Sequence, residues 1–492
     1  MGFWSLPQLM LLACAGSVAA PRTVDAQTVD GAAARQEIVR QLGEGLESHA
    51  EWCRNERLFG ERKRALEALI VLRPDDTQAL RALGYTKGSQ GRWTPPKNDR
   101  QPRDFDAASL AEARSRFDAL LATYADALDG LAASHLLSRE EVLADLRRVA
   151  PDHPRVHAAA GEVQQDGEWL LGETVEALRR RSEIAAWTRD IAALLPASAP
   201  PSARETALGL DWTDALETED ARILGTVERR ELCRMARSLA VTRTLFGRLL
   251  GREVRLAQGT TIFLLDGATD CDRFLRAHPA LTDRQRGEMA RLTGVWIQGD
   301  SHDIAFWEGG EEHRLDGVVH LVCHSFLRQA FGFAMERWEQ EGLALFLTEC
   351  VLGTRLTWCS GAATVACNPA QARLRARMLE SPDWLAEAAR RSELPGWTCF
   401  DGLCARRWGE YSPEDQLCAY ALAAYLVEGQ HELAPRFLQY LAGGQRSSAT
   451  AVADVLGRTS VELDQRLQRW LRERLAHEPA GEASVASGPG SR

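Results

Sequence analysis

The chain has 492 residues, of which 45% are apolar and 26% charged. That is the composition of an ordinary globular protein, long enough for about two to four domains. The formal charge is −10, from 59 Lys and Arg against 69 Asp and Glu, which argues against the basic footprint of a general nucleic-acid binder.

Leu6 to Val18 (LPQLMLLACAGSV) is mostly apolar and is followed by Ala19 and Ala20. This pattern predicts an export signal within residues 1–26, cut after Ala20 or after Ala26. No Lys or Arg precedes Arg22, so the usual charged start is missing. A buried or disordered N-terminus is one alternative. Another is a lipobox at Leu11-Leu12-Ala13-Cys14, which would acylate Cys14. The expected location is exported, periplasmic or secreted, with lipid anchoring through Cys14 as a variant. No later stretch approaches 18 consecutive apolar residues, so no transmembrane helix is expected after the signal.

Residues 30–190 read as a helical, repeat-like domain. Arg62 to Val71 (RKRALEALIV) places apolar residues at helical spacing. Arg73 to Trp93 and Ala150 to Trp169 align as two copies of one pattern, matching Pro74 with Pro151, Asp75 with Asp152 and Gly84 with Gly161. After a one-residue gap, Gly91 and Trp93 match Gly167 and Trp169. Pro and Asp end one helix and start the next, Gly turns the chain, and Trp folds back as an apolar plug. The unit resembles tetratricopeptide-like helical repeats, which implies packing or protein contact rather than chemistry.

A linker is expected at residues 191–204, where Leu195 to Ser202 reads LPASAPPS. Residues 205–475 form the second expected domain. Thr218 to Leu250 reads as an amphipathic helix. Strands are expected at Thr261 to Asp266, Gly294 to Gly299 and Asp303 to Glu308, each rich in β-branched or aromatic residues. Helical pattern resumes at Arg314 and runs largely to Ala476, and residues 476–492 have the composition of a disordered tail. The expected fold class is mainly α with a small β-sheet (α+β). Of 11 cysteines, ten remain once Cys14 leaves with a signal. Cys359 with Cys367, and Cys399 with Cys404, are candidate disulfides that would pin loop-like sequence; free thiols are the alternative.

The chemistry concentrates at Val319-His320-Leu321-Val322-Cys323-His324. Apolar flanks predict a buried helix, and a spacing of four puts both imidazoles on one face. Two such nitrogens suit one Zn²⁺ at about 2.0–2.1 Å each. Alone the pair says little, because 11 histidines in 492 residues yield a His-x-x-x-His by chance in roughly a quarter of such chains. A second apolar helix begins near Trp338, and Glu341 follows His324 by 17 residues. That length lets the chain turn near Gly332 and return Glu341 to the histidines as a third ligand. Asp316, one turn before His320, is a candidate to orient that imidazole. Cys323 reads as a buried structural thiol. Tyr420 is a weak candidate for a hydrogen-bond donor to a transition state, and a core tyrosine otherwise.

These residues resemble the gluzincin metallopeptidases, in particular the bacterial peptidase-MA-like families, with their H-E-x-x-H and W-x-x-E-G-x-A halves. His320 and His324 match the first half; Trp338, Glu341, Gly342 and Ala344 match the second. The resemblance covers roughly residues 205 to 475. It implies a gluzincin-like domain with zinc held by His320, His324 and Glu341, and a sheet-edge strand beside a peptide-holding cleft.

The departure is at Leu321, which occupies the position of the family's catalytic glutamate. Leucine cannot take a proton from water, and losing a placed general base costs on the order of 10²–10⁴ in rate. The expected function is an exported, zinc-binding, metallopeptidase-like protein, catalytically impaired, that binds a peptide or protein in its cleft. Two alternatives are an active zinc peptidase with another base, and a metal-free interaction protein acting through its helical repeats.

Overall fold

The computed structural model describes residues 31–96, 104, 107–191, 196–298, 302–307, 309–332, 335–356, 373–374, 376–378, 383–407, 411–443 and 448–477. The expected signal, Cys14, Cys359, Cys367 and the tail beyond 477 lie outside them. The described residues are mainly α-helical with a small mixed sheet, as composition and periodicity led us to expect. None of their helices is long and apolar enough to cross a membrane.

The chain divides into two compact units, residues 1–160 and 161–492. In the first, α1 (Gly31–Asn55), α2 (Phe59–Leu72), α3 (Thr77–Ala82), α4 (Ala107–Ala133), α5 (Arg139–Val149) and α6 (Pro154–Ala159) close around Leu46, Leu69, Phe117, Leu128 and Leu146. A short hairpin, β1 (Thr86–Lys87) with β2 (Trp93–Thr94), follows α3. The second unit begins with a matching hairpin, β3 (Glu162–Gln165) with β4 (Glu168–Leu171), directly after α6.

The aligned sequence pattern therefore describes a short helix followed by a β-hairpin rather than two packed helices. Gly84 and Gly161 both leave their helix at positive φ, +81° and +73°, where a side chain is disfavoured. Trp93 and Trp169 lie on the returning strands.

In the second unit α7 (Gly172–Ile191) packs on the helix Ser460–His477 and on α9 (Arg229–Leu250). The unit boundary therefore falls about thirty residues before the expected linker at 191–204. The described part of that stretch holds an edge strand, β5 (Ala197–Ser198), and the start of a short helix, α8 (Ala203–Thr206). Two strands precede α9: β6 (Asp214–Glu217) and β7 (Arg222–Gly225). The amphipathic helix expected from Thr218 thus starts only at Arg229. The run Arg222–Gly225 is instead a buried sheet strand, with Ile223 and Leu224 wholly covered.

The expected strands appear as β8 (Thr260–Leu264), β9 (Gly294–Gln298) and β10 (His302–Phe306), with α10 (Ala268–Ala277) and α11 (Asp283–Met289) between β8 and β9. The sheet order is β5-β6-β7-β8-β10-β9, with β8 parallel to both β7 and β10, and β9 antiparallel at the edge.

Two long helices, α12 (Glu311–Phe331) and α13 (Arg337–Leu352), then pack against each other. The ring of Phe306 on β10 lies against Gly317 of α12 and Gly294 of β9. A Cβ would come within 2.1 Å of that ring at Gly317 and within 2.5 Å at Gly294. Glycine at both positions lets the sheet edge and α12 meet one turn before His320.

Candidate metal centre

Gly332, at φ +85°, ends α12, and Glu336 caps α13 through a capping box with Glu339. The turn falls where the glycine placed it. It lets α13 return along α12 with its buried face toward the two histidines. His320, His324 and Glu341 are 3%, 7% and 1% exposed.

Their donor atoms converge. Nε2 of His320 is 3.1 Å from Nε2 of His324. Nε2 of His324 is 3.1 Å from Oε1 of Glu341, and Nε2 of His320 is 3.5 Å from its Oε2. Two ligands held tetrahedrally at about 2.0–2.1 Å from one ion lie about 3.4 Å apart, so the spacing fits a shared ion. Nδ1 of each imidazole and Oε2 of Glu341 are buried with no hydrogen-bond partner. Oε2 borders the gap between the three donors, whereas each Nδ1 lies on the far side of its ring. The group of three could hold a metal ion, and among the described residues no other imidazole, thiol or carboxylate joins it.

The electrostatics suit ligation. Burial pushes the His324 imidazole below its ordinary value, against the pull of Glu341, and so favours the neutral form that binds metals. Sequence reasoning missed one participant. Arg337, one turn before Glu341, places its guanidinium 2.7 Å from Oε1. Burial lowers it to about 10, which leaves it charged at neutral pH. Its spacing of four from Glu341 was the available signal.

The remaining predicted residues fall as follows. Leu321 is half-buried, packed on the rim of the core. Asp316 does not hydrogen-bond Nδ1 of His320, which has no partner. Its Oδ2 accepts instead from the Thr354 hydroxyl at 2.7 Å and the Leu356 amide at 3.0 Å, fixing the exit from α13. Tyr420 donates its hydroxyl to Oε2 of Glu349, a carboxylate also held by Arg181 and Arg355. It therefore belongs to a buried ionic network rather than to the centre.

Trp338 packs edge-on against Phe400 and donates to Glu336. Gly342 allows α13 to touch the helix Pro413–Ala424, and Ala344 is wholly buried beyond it. Cys323 is a buried thiol pushed up by burial. Cys399 and Cys404 are not joined to each other in a disulfide. They stand at opposite ends of the helix Phe400–Cys404. Five helical residues rise about 7.5 Å, beyond the Cα separation a disulfide spans.

The two other carboxylates of α13 have partners of their own. Glu339 accepts the Glu336 amide at 3.0 Å, and burial raises it well above the usual range. Glu349 is committed to its two arginines.

The fold and site together define a mainly α protein with a buried two-histidine, one-carboxylate centre. Comparison with protein-family models, with curated proteins and with solved structures returned no match to this chain.

Proposed function

We propose that the second unit is a zinc-binding, metallopeptidase-like module that binds a peptide or protein ligand and does not cleave it efficiently. The observation that carries this reading is the convergence of three buried donors, 3.1 to 3.5 Å apart, from two adjacent helices. Two imidazole nitrogens with one carboxylate oxygen favour zinc over calcium or magnesium, which prefer all-oxygen shells. His320 and His324 would supply the nitrogens and Glu341 the oxygen, leaving a fourth position of the catalytic type. The ion, when bound, would lower the pKa of a coordinated water and polarise a carbonyl. Leu321, beside His320, can accept no proton. The loss of that base costs on the order of 10²–10⁴ in rate. Ligand binding is what the residues present can do. An exported location, periplasmic or secreted, belongs to the same reading.

One observation favours a second reading. Arg337 already sets a positive charge against Glu341, so the carboxylate has an ionic partner without a metal, as in a purely structural core. Metal analysis separates the two. Purified protein should carry about one zinc per chain at neutral pH, and His320→Ala or Glu341→Gln should remove it. Absence of zinc after incubation with excess ion would support the metal-free reading instead.

A further inference from the structure

The Glu341 carboxylate serves two positive groups at once. Its Oε1 is 3.1 Å from Nε2 of His324 and 2.7 Å from the Arg337 guanidinium. The Arg337 side chain is only 5% exposed, and its guanidinium carbon lies 6.0 Å from the ring of buried Tyr411. Burying an arginine is costly unless an anion faces it, and Glu341 is that anion. The charge count then matters. Without a metal, the Arg337 guanidinium already sets a positive charge against the Glu341 carboxylate. A divalent ion brings two more positive charges onto the same carboxylate, in an interior where charges are poorly screened.

We propose that Arg337 is a built-in competitor for the metal, holding Glu341 in the metal-free protein and yielding it when an ion binds. The proposal rests on the reading of His320, His324 and Glu341 as a metal centre. It makes the centre exchangeable: the chain stays folded when empty, because the carboxylate already has Arg337 as its ionic partner. A permanently loaded structural zinc site behaves otherwise and unfolds when stripped. Occupancy then follows the supply of the ion, so the module reports or responds to zinc rather than being built around it.

The test is zinc affinity of the full chain, measured by competition with a chromogenic chelator at pH 7. Wild type is compared with Arg337→Gln, Arg337→Met and Arg337→Lys, and each is melted with and without zinc. The two neutral variants should bind zinc about tenfold tighter, ~1.4 kcal/mol. They should melt lower than wild type when empty and gain more from added zinc. Arg337→Lys keeps the charge and should stay within about threefold of wild type. Two neutral variants guard against one failing to fold. Unchanged or weaker zinc binding by a folded neutral variant overturns the competitor role. So does tightening by Arg337→Lys as large as that by Arg337→Gln. If wild type still binds through His320 in those cases, the metal centre stands. No zinc on wild type or any variant overturns both readings together.

Discussion

Gly342 of α13 lies against the backbone carbonyl of Ala419, so close that a Cβ would come within 2.2 Å of that oxygen. The contact fixes how deeply α13 seats on the helix Pro413–Ala424. It therefore also fixes where the neighbouring Glu341 presents its carboxylate. Gly342→Ala should push the helices apart and cost about 1–3 kcal/mol, the usual penalty of overpacking. Because Glu341 is adjacent, zinc affinity should fall with stability. Urea denaturation and zinc titration of the variant check both. A variant as stable as wild type would mean the two helices adjust freely.

On the proposed reading, Leu321 stands where a proton-accepting side chain would be needed. Leu321→Glu should introduce casein hydrolysis on the order of 10²–10⁴ above wild type, abolished by a chelator. If the variant folds and binds zinc yet cleaves nothing, a carboxylate at this position is not enough to make the centre hydrolytic.

Glu349 gives a pH prediction. Burial raises its carboxyl, but Arg355 and then Arg181, at 2.7 and 2.9 Å, outweigh burial and hold it well below its ordinary value of 4.5. The stabilisation is therefore fully present above about pH 4.5 and is lost as pH falls below it. Glu349→Gln should cost about 3–5 kcal/mol at pH 7, since it removes the buried carboxylate that Arg355 and Arg181 share. The gap in melting temperature between wild type and variant should narrow below pH 4.5. A gap that widened on acidification would contradict this assignment.

Tyr420 and Asp316 should behave as structural residues. Tyr420→Phe removes a hydrogen bond to a charged carboxylate and should cost about 1.5–3 kcal/mol. Asp316→Ala frees Thr354 and the Leu356 amide at the end of α13, with a loss of about 1–3 kcal/mol. Neither should change zinc affinity more than about threefold. A larger change on either would bring that residue into the centre.

Much of the centre was legible because its signals are local. His320 and His324 share a helix face by spacing alone, and Gly332 marks the turn that returns Glu341. Arg337 was not legible as part of it. A charged residue in the first turn of a helix ordinarily points to solvent, and only packing against Tyr411 and Glu341 buries it. The sheet was half legible. Strands β8, β9 and β10 carry long β-branched or aromatic runs, whereas the four-residue run Arg222–Gly225 is too short to separate strand from helix by periodicity. The Pro-rich stretch near 197 holds an edge strand, and the boundary between units falls at residue 160.

The central claim is that two helices bring His320, His324 and Glu341 onto one ion. The most direct measurement is zinc K-edge X-ray absorption on the zinc-loaded protein. The account predicts two imidazole signatures and a first shell of nitrogen and oxygen at about 2.0–2.2 Å, with the zinc signal lost in His320→Ala. A sulfur shell at about 2.3 Å, or a spectrum unchanged by His320→Ala, would contradict it.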